Sequence, residues 1–284
     1  VNIRVEGLDF VYNPGTPLEV AALRSIDFEI PSGKVLGILG GTGSGKTTLI
    51  KHLNGLLEPT RGRILFDGVA SAAFGSSLAR KVGVVFQRPE RQLFEPTVFE
   101  DISFVLRRFS DMDDGEIRER VRAASEMVGL DIELLGDRPA ASLSDGLRRK
   151  VAIAGILVNR PDVLVLDEPA VGLDPAALSH LVRLVREYAA VGKTVVVVSH
   201  DMDAFLPLLD FLLVLFRGMQ AAFGDPSRVC SVLADHEGLR GLLPGLALFV
   251  GDLRTNGYDV PENEFGIPEL VHRLLTVREQ GAAS

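Results

Sequence analysis

The sequence predicts an α/β protein: a largely parallel sheet, an inserted helical subdomain and a small carboxy-terminal domain. Three observations carry this reading. VLGILG (35–40), VLVLDE (163–168) and TVVVVS (194–199) are near-continuous apolar runs bounded by turns, as expected of strands buried on both faces of a parallel sheet. Between the first and second of these, from about 97 to 159, apolar residues recur at three- and four-residue spacing, the mark of helices. From about 225 onward glycines and prolines, Gly238 to Pro268, punctuate short apolar stretches. The expected boundaries are a main domain at 1–224, with its helical subdomain at about 88–158, and a second domain at 225–284.

Residues 3–11 alternate, an NPGTP turn occupies 13–17, and 22–30 alternates again before Pro31-Ser32-Gly33. VLGILG leads through a glycine-rich loop into the helix-like TTLIKHLNGLL. RILFDG (63–68) and KVGVVF (81–86) are further strands. VFEDISFVLRRF and EIRERVRAASEMVGL are amphipathic helices, and Gly129 and the segment around Pro139 break this region into separate helices. A helix at about 175–190 links the two later buried strands.

Composition sets limits. With 46% hydrophobic and 24% charged residues the chain is globular rather than disordered. The longest apolar stretch, Phe205 to Phe216, is interrupted by Pro207 and Asp210 and is too short to span a bilayer. Any contact with a membrane must therefore come through a protein partner. Residues 1–10 alternate like a strand and lack a charged-then-apolar signal pattern. Cys230 is the one cysteine, so no internal disulfide forms and a reducing cytoplasm is the expected compartment. A net charge of −8 argues against broad binding of nucleic acid.

Gly40-Gly41-Thr42-Gly43-Ser44-Gly45-Lys46-Thr47 fits G-x-x-x-x-G-K-[ST] in full, with a buried strand before it and a helix, opening with Thr47 and Thr48, after it. Glycines let backbone N–H groups turn inward around phosphates, and the helix N-terminus adds partial positive charge. Lys46 is expected on the β- and γ-phosphates, and the Thr47 hydroxyl on Mg²⁺. The fold class sharpens to a P-loop NTPase.

Asp167 and Glu168 end a buried strand, where α/β sheets form their ligand crevice. Asp167 suits an outer-sphere contact to Mg²⁺, and Glu168 suits orienting and deprotonating an attacking water. His200 directly succeeds the strand TVVVVS. Alone it reads as a surface or capping residue, but one strand after the acidic pair it shares their rim and can sense a γ-phosphate. Gln87 comes after KVGVVF where the helical insertion begins. It is either a polar strand terminator or a link from metal and water to the helices. Tyr12 is either an exposed turn aromatic or a stacking face for adenine.

These motifs together resemble a family. The phosphate loop, Gln87, LSDG (143–146), VLVLDEP (163–169), GLDP (172–175) and SH (199–200) stand in the order and spacing of ABC-transporter ATPases, over roughly residues 1–225. YNPGTPLE (12–19), HLNGLLEPTRGRILFDG (52–68) and FQRPERQLFEPTVFEDI (86–102) look like the ATPases of energy-coupling factor (ECF) transporters, and the NPGTP turn like their second, A-prime type. The resemblance implies an ATP-hydrolysing motor subunit at the cytoplasmic face of the membrane, with two cassettes sandwiching ATP and Mg²⁺. Each nucleotide would lie between one chain's phosphate loop and the other's signature, here Ser144 and Gly146. It further implies a related rather than identical second cassette, a transmembrane coupling subunit, a membrane protein that captures the substrate (a vitamin or metal ion), and a tail used for dimerisation.

The signature departs from Leu-Ser-Gly-Gly-Gln: this chain has Leu143-Ser144-Asp145-Gly146-Leu147. A carboxylate about 6 Å from a phosphate charge, at an effective dielectric of about 20, is opposed by about 3 kcal/mol per charge. The alternative is that Asp145 simply favours the N-terminus of its helix. Competing functions are a soluble ABC ATPase acting on nucleic acid or the ribosome, a small-molecule kinase, and a catalytically silent regulatory subunit.

Overall fold

The computed structural model describes residues 1–261, 263–267, 270 and 271. Ten strands among them form one sheet in the order β5-β4-β1-β2-β10-β9-β3-β8-β7-β6. Its parallel half contains β3 (Val35–Leu39), β6 (Val82–Val85), β7 (Val163–Asp167), β8 (Thr194–Ser199) and β9 (Phe211–Phe216). Every residue of β3, β6, β7 and β8 is buried, which is why these segments read as unbroken apolar runs. The other half is antiparallel: β1 (Ile3–Tyr12) pairs with β2 (Val20–Ile30) and with β4 (Arg61–Phe66), and β4 pairs with the short β5 (Val69–Ala70). β10 (Met219–Gly224) joins the halves, antiparallel to β9 and touching β2 at Met219 opposite Arg24.

The helices are α1 (Lys46–Leu53), α2 (Leu78–Lys81), α3 (Val98–Phe109), α4 (Asp114–Met127), α5 (Ile132–Leu135), α6 (Asp145–Leu157), α7 (Pro175–Ala190), α8 (Pro226–Asp235) and α9 (Gly245–Thr255). α3 to α6 are the predicted helical insertion. Capping side chains set their starts: Thr97 caps α3, Asp113 and Glu116 form a reciprocal capping box on α4, and Ser144 caps α6; Asp174 does the same for α7. Val98, Ile102 and Leu106 of α3 pack with Ile117 and Val121 of α4 and Val151 and Ala154 of α6 in a core that continues into β3, β7 and β8.

Three local expectations are refined. β6 ends at Val85, so Gln87 lies two residues beyond the strand, in the loop before a 3-10 turn at Pro89–Gln92. Helical structure proper begins at Val98, later than 88. The apolar stretch from Phe205 resolves into a 3-10 turn at Leu206–Leu208 and the sheet strand β9, because Leu209 and Asp210 end the turn and the Asp210 carboxylate accepts the Val35 N–H at 2.9 Å. Among the described residues no helix is long and apolar enough to cross a membrane. The described part of the tail shares the main core: Val229, Cys230, Leu233, Leu239, Val250, Val260, Phe265 and Leu270 belong to the same buried cluster as Leu212 and Val214 of β9. Pro268 and residues 272–284, also assigned to a second domain, lie outside the described residues.

Candidate nucleotide site

β3, β8 and β7 run side by side, and this order makes the site. Leu39 pairs with Ser199, and Asp167 with Val198. The carboxyl ends of three strands therefore deliver Gly40, His200 and Glu168 to one rim, as the position of His200 one strand after the acidic pair predicts. A cleft of about 690 Å³ opens there, lined by Tyr12, Gly41 to Thr48, Gln87, Asp167, Glu168 and His200. Gly40, the residue that opens the phosphate loop, directly precedes this lining. Ser144 and Gly146 are not part of it; they line a separate hollow between α6 and α7.

The loop from Gly40 to Thr47 is built around its glycines. Gly45 adopts φ +104 at the N-terminus of α1, a region L side chains rarely enter, and a Cβ there would meet Leu23 Cδ2 at 2.7 Å and Ala22 O at 2.9 Å. No side chain caps α1, and its first turn holds no acidic residue. The N–H groups of that turn have no intrahelical acceptor, so the helix presents donors and partial positive charge to the cleft. The buried Ser44 hydroxyl also lacks a partner. The Lys46 ammonium donates to Gly40 O at 2.6 Å and Gly41 O at 3.1 Å and stands 3.9 Å from Glu168 Oε1. Burial lowers its pKa against the pull of Glu168 and Asp167. A collar of donors with one cation suits a polyphosphate.

Glu168 is held in a conformation unusual for a residue with a side chain, φ +48. Its N–H donates to Val198 O at 2.7 Å, and this bend folds the carboxylate beneath the end of β8. There Oε2 accepts from Ser199 Oγ at 2.9 Å and lies 2.8 Å from His200 Nδ1, while Oε1 accepts from His200 N at 3.1 Å. The Glu168 side chain is 11% exposed and that of His200 62%, so the histidine ring faces outward. Asp167 is buried, and that burial, reinforced by the neighbouring Glu168 charge and opposed by Lys46, pushes its carboxyl up to about 6. Thr47 and Gln87 are accessible within the same cleft. The hydroxyl of Thr47, the amide oxygen of Gln87 and the Asp167 carboxylate are hard oxygen donors of the kind that suits Mg²⁺.

Tyr12 lines the cleft, with its ring edge-on to Phe10 at 4.7 Å and its hydroxyl 3.3 Å from Thr48 Oγ1. Sequence reasoning missed Arg217 and Gly218, which also line the cleft, at the turn between β9 and β10. Gly218 N donates to Ser44 O at 3.1 Å, and Gly218 O accepts from Arg24 N at 2.8 Å, tying this turn to the phosphate loop and to β2. The available signal was an Arg-Gly pair between two apolar stretches, a turn like many others. Arg149, on the signature helix α6, was also missed as a link: its guanidinium donates to the carbonyls of Pro169 and Val171, just beyond Glu168.

The ABC transporter family matches residues 23–171, more than half of the chain. The chain belongs to the ABC transporter ATPases. Within that family it belongs with the ATP-binding proteins of ECF transporters. It is 41% identical over 96% of its length to "Energy-coupling factor transporter ATP-binding protein EcfA2" of Symbiobacterium thermophilum, covering 95% of that protein. It is 44% identical over 98% of its length to the protein of the same name in Acetivibrio thermocellus, covering 96% of it. Among solved structures it is similar to cbiO1 from Clostridium perfringens, described as part of the ABC transporter complex cbiONQ. The TM-score is 0.70 at 37% identity, over 84% of this chain and 96% of that one. It is also similar to the cassette MJ0796, solved as a dimer in a post-hydrolysis state bound to ADP and Pi. That TM-score is 0.69 at 26% identity, over 79% of this chain and 98% of the other. This ABC ATPase is thus an ATP-hydrolysing subunit of an ECF transporter, its activity coupled to transport. The comparisons do not favour the alternative of a cassette acting on nucleic acid or the ribosome.

Proposed function

We propose that this chain is one of two cassettes that drive an ECF-type uptake transporter, and that its own phosphate loop, Glu168 and His200 form a competent hydrolytic site. The observation that carries the reading is the convergence of Lys46, Asp167, Glu168 and His200 on one cleft, with Lys46 Nζ 3.9 Å from Glu168 Oε1. The triphosphate would lie along the amides of the loop and of the first turn of α1, its γ-phosphate toward Lys46. Adenine would rest on Tyr12. Glu168 would accept a proton from water as its oxygen attacks the γ-phosphorus; the bond to the bridging oxygen breaks and ADP leaves with the electron pair. Lys46 and the helix amides would stabilise charge on the phosphates, and the outward ring of His200 would contact the γ-phosphate. Thr47, Gln87 and Asp167 would hold Mg²⁺, which when bound neutralises charge on the β- and γ-phosphates.

The second cassette, on this reading, is a related chain whose signature completes the site, while Ser144 and Gly146 complete the partner's. Residues 225–284 would contribute to pairing. The segment from Gln87 to Phe99, with Phe94 67% exposed, would bear on a transmembrane coupling subunit, which works with a membrane protein that captures a vitamin or metal ion. The chain would sit at the cytoplasmic face of the membrane, attached through these partners. Replacing Glu168 by Gln tests the core of the proposal. ATP binding should persist while single-turnover hydrolysis at this site falls by roughly 10²- to 10⁴-fold. Hydrolysis at the unmodified rate would remove Glu168 as the base.

A further inference from the structure

Ser199 occupies the last position of β8, between the strand that launches the phosphate loop and the strand that ends in the acidic pair. It is 2% exposed, so solvent does not compete for its hydroxyl. That hydroxyl carries one proton, and its direction is determined by its two partners. Asp201 N donates to Ser199 Oγ at 3.2 Å, which leaves the Ser199 proton for Glu168 Oε2 at 2.9 Å. We propose that Ser199 is a positioning residue for Glu168, aiming the carboxylate that receives the proton of the attacking water.

The other contacts of Glu168 show why this one matters. Oε1 takes the His200 N–H and faces Lys46; Oε2 takes Ser199 and the His200 ring. The ring is the exposed member of the group and the one whose proposed task lies at the γ-phosphate. When it turns to that task, the buried Ser199 hydroxyl remains as the side-chain donor to Oε2. Glu168 itself needs such a guide, because its φ of +48 places it at a sharp bend rather than along a strand. A hydrogen bond from a buried donor to a charged group is among the stronger ones in a protein. Ser199 acts through Glu168 and does not itself reach the nucleotide, so its loss should reduce turnover and leave binding alone.

The inference rests on Glu168 as general base, and the experiment separates the two. In the full-length chain with its transporter partners, and with the other cassette inactivated in its own phosphate loop, ATP affinity and single-turnover hydrolysis are measured for Ser199→Ala, Ser199→Thr, Glu168→Gln and the Ser199→Ala/Glu168→Gln pair. The expected result is a roughly tenfold loss of rate in Ser199→Ala with unchanged ATP affinity. Ser199→Thr, which keeps the hydroxyl, should stay near the parent rate, and Ser199→Ala should cost nothing further once Glu168 is Gln. If Ser199→Ala does not fold, Ser199→Cys keeps the volume with a weaker donor and should show the same pattern in smaller measure. A rate for Ser199→Ala within twofold of the parent, a faster rate, a parallel loss of affinity, or a full additional loss in the Glu168→Gln background would each overturn the proposal. Parent-level hydrolysis by Glu168→Gln would remove the base assignment first, and this proposal with it.

Discussion

The Lys46 ammonium stands 3.9 Å from Glu168 Oε1 while its protons engage the carbonyls of Gly40 and Gly41. One cation thus links the phosphate loop to the acidic end of β7, and burial lowers its pKa without removing its partners. Lys46→Ala should weaken ATP binding by about 100-fold or more, since a buried charge-assisted contact to phosphate is worth roughly 3 kcal/mol. Equilibrium binding of a fluorescent ATP analogue checks this; affinity within threefold of the parent would place the phosphates elsewhere. Glu168→Gln gives the opposite pattern, binding without turnover, and the pair of variants together assigns the two ends of the contact.

Asp167 gives a pH dependence with a definite sign. Its folded-state pKa of about 6 lies above the ordinary 3.8, chiefly because the carboxylate is buried and then because Glu168 adjoins it. Between these values the folded chain keeps a proton that the unfolded chain has released, so stability from this group is complete below pH 3.8 and falls as pH rises through about 6. The loss is at most about 3 kcal/mol. Urea unfolding of metal-free protein should show Asp167→Asn equal to the parent near pH 4 and more stable by about 1–3 kcal/mol at pH 7.5. A constant difference across that range would mean that Asp167 does not titrate as described.

Asp145 is 87% exposed and pairs with Arg148 one turn along α6, while Ser144 caps the helix. The carboxylate is therefore partly compensated within its own helix, and both sequence readings of it keep a structural basis. If it opposes a partner-bound phosphate, restoring the common signature with Asp145→Gly and Leu147→Gln should tighten ATP at the partner's site by about tenfold and raise turnover there. Unchanged affinity and turnover in the assembled transporter would leave Asp145 as a helix-terminus residue only.

Gly40 shows what the loop tolerates. A Cβ at this position would meet Leu215 O and Ser44 Oγ, each at 2.5 Å. The first of these is backbone of β9 and cannot swing aside. Gly40→Ala should therefore lower stability by roughly 1–3 kcal/mol and reduce ATP affinity, whereas Gly41→Ala, with open space around the added carbon, should fold like the parent. Thermal unfolding of the two variants side by side decides it. Equal melting points would contradict the packing around Gly40.

Local pattern in the chain specifies its individual pieces. The apolar runs of β3, β7 and β8 had to be buried strands, because a residue such as Val165 or Val197 has no polar neighbour to share a solvated face. The phosphate loop and the acidic pair depend on short spacings legible along the chain; the caps at Thr97, Ser144 and Asp174 came from the structure. What distant segments do to one another follows from how the strands assemble. Strand order placed β8 between β3 and β7, and only that order sets Ser199 and His200 against Glu168. It also brought Arg217 to the cleft, tied the tail's Val229 and Leu233 into the main core, and separated Ser144 and Gly146 from the loop of their own chain. The reason is physical: spacing along the chain controls hydrogen bonds within a turn or a helix, but a contact between residues 31 positions apart, such as Ser199 and Glu168, is selected by how whole strands pair and bury their faces.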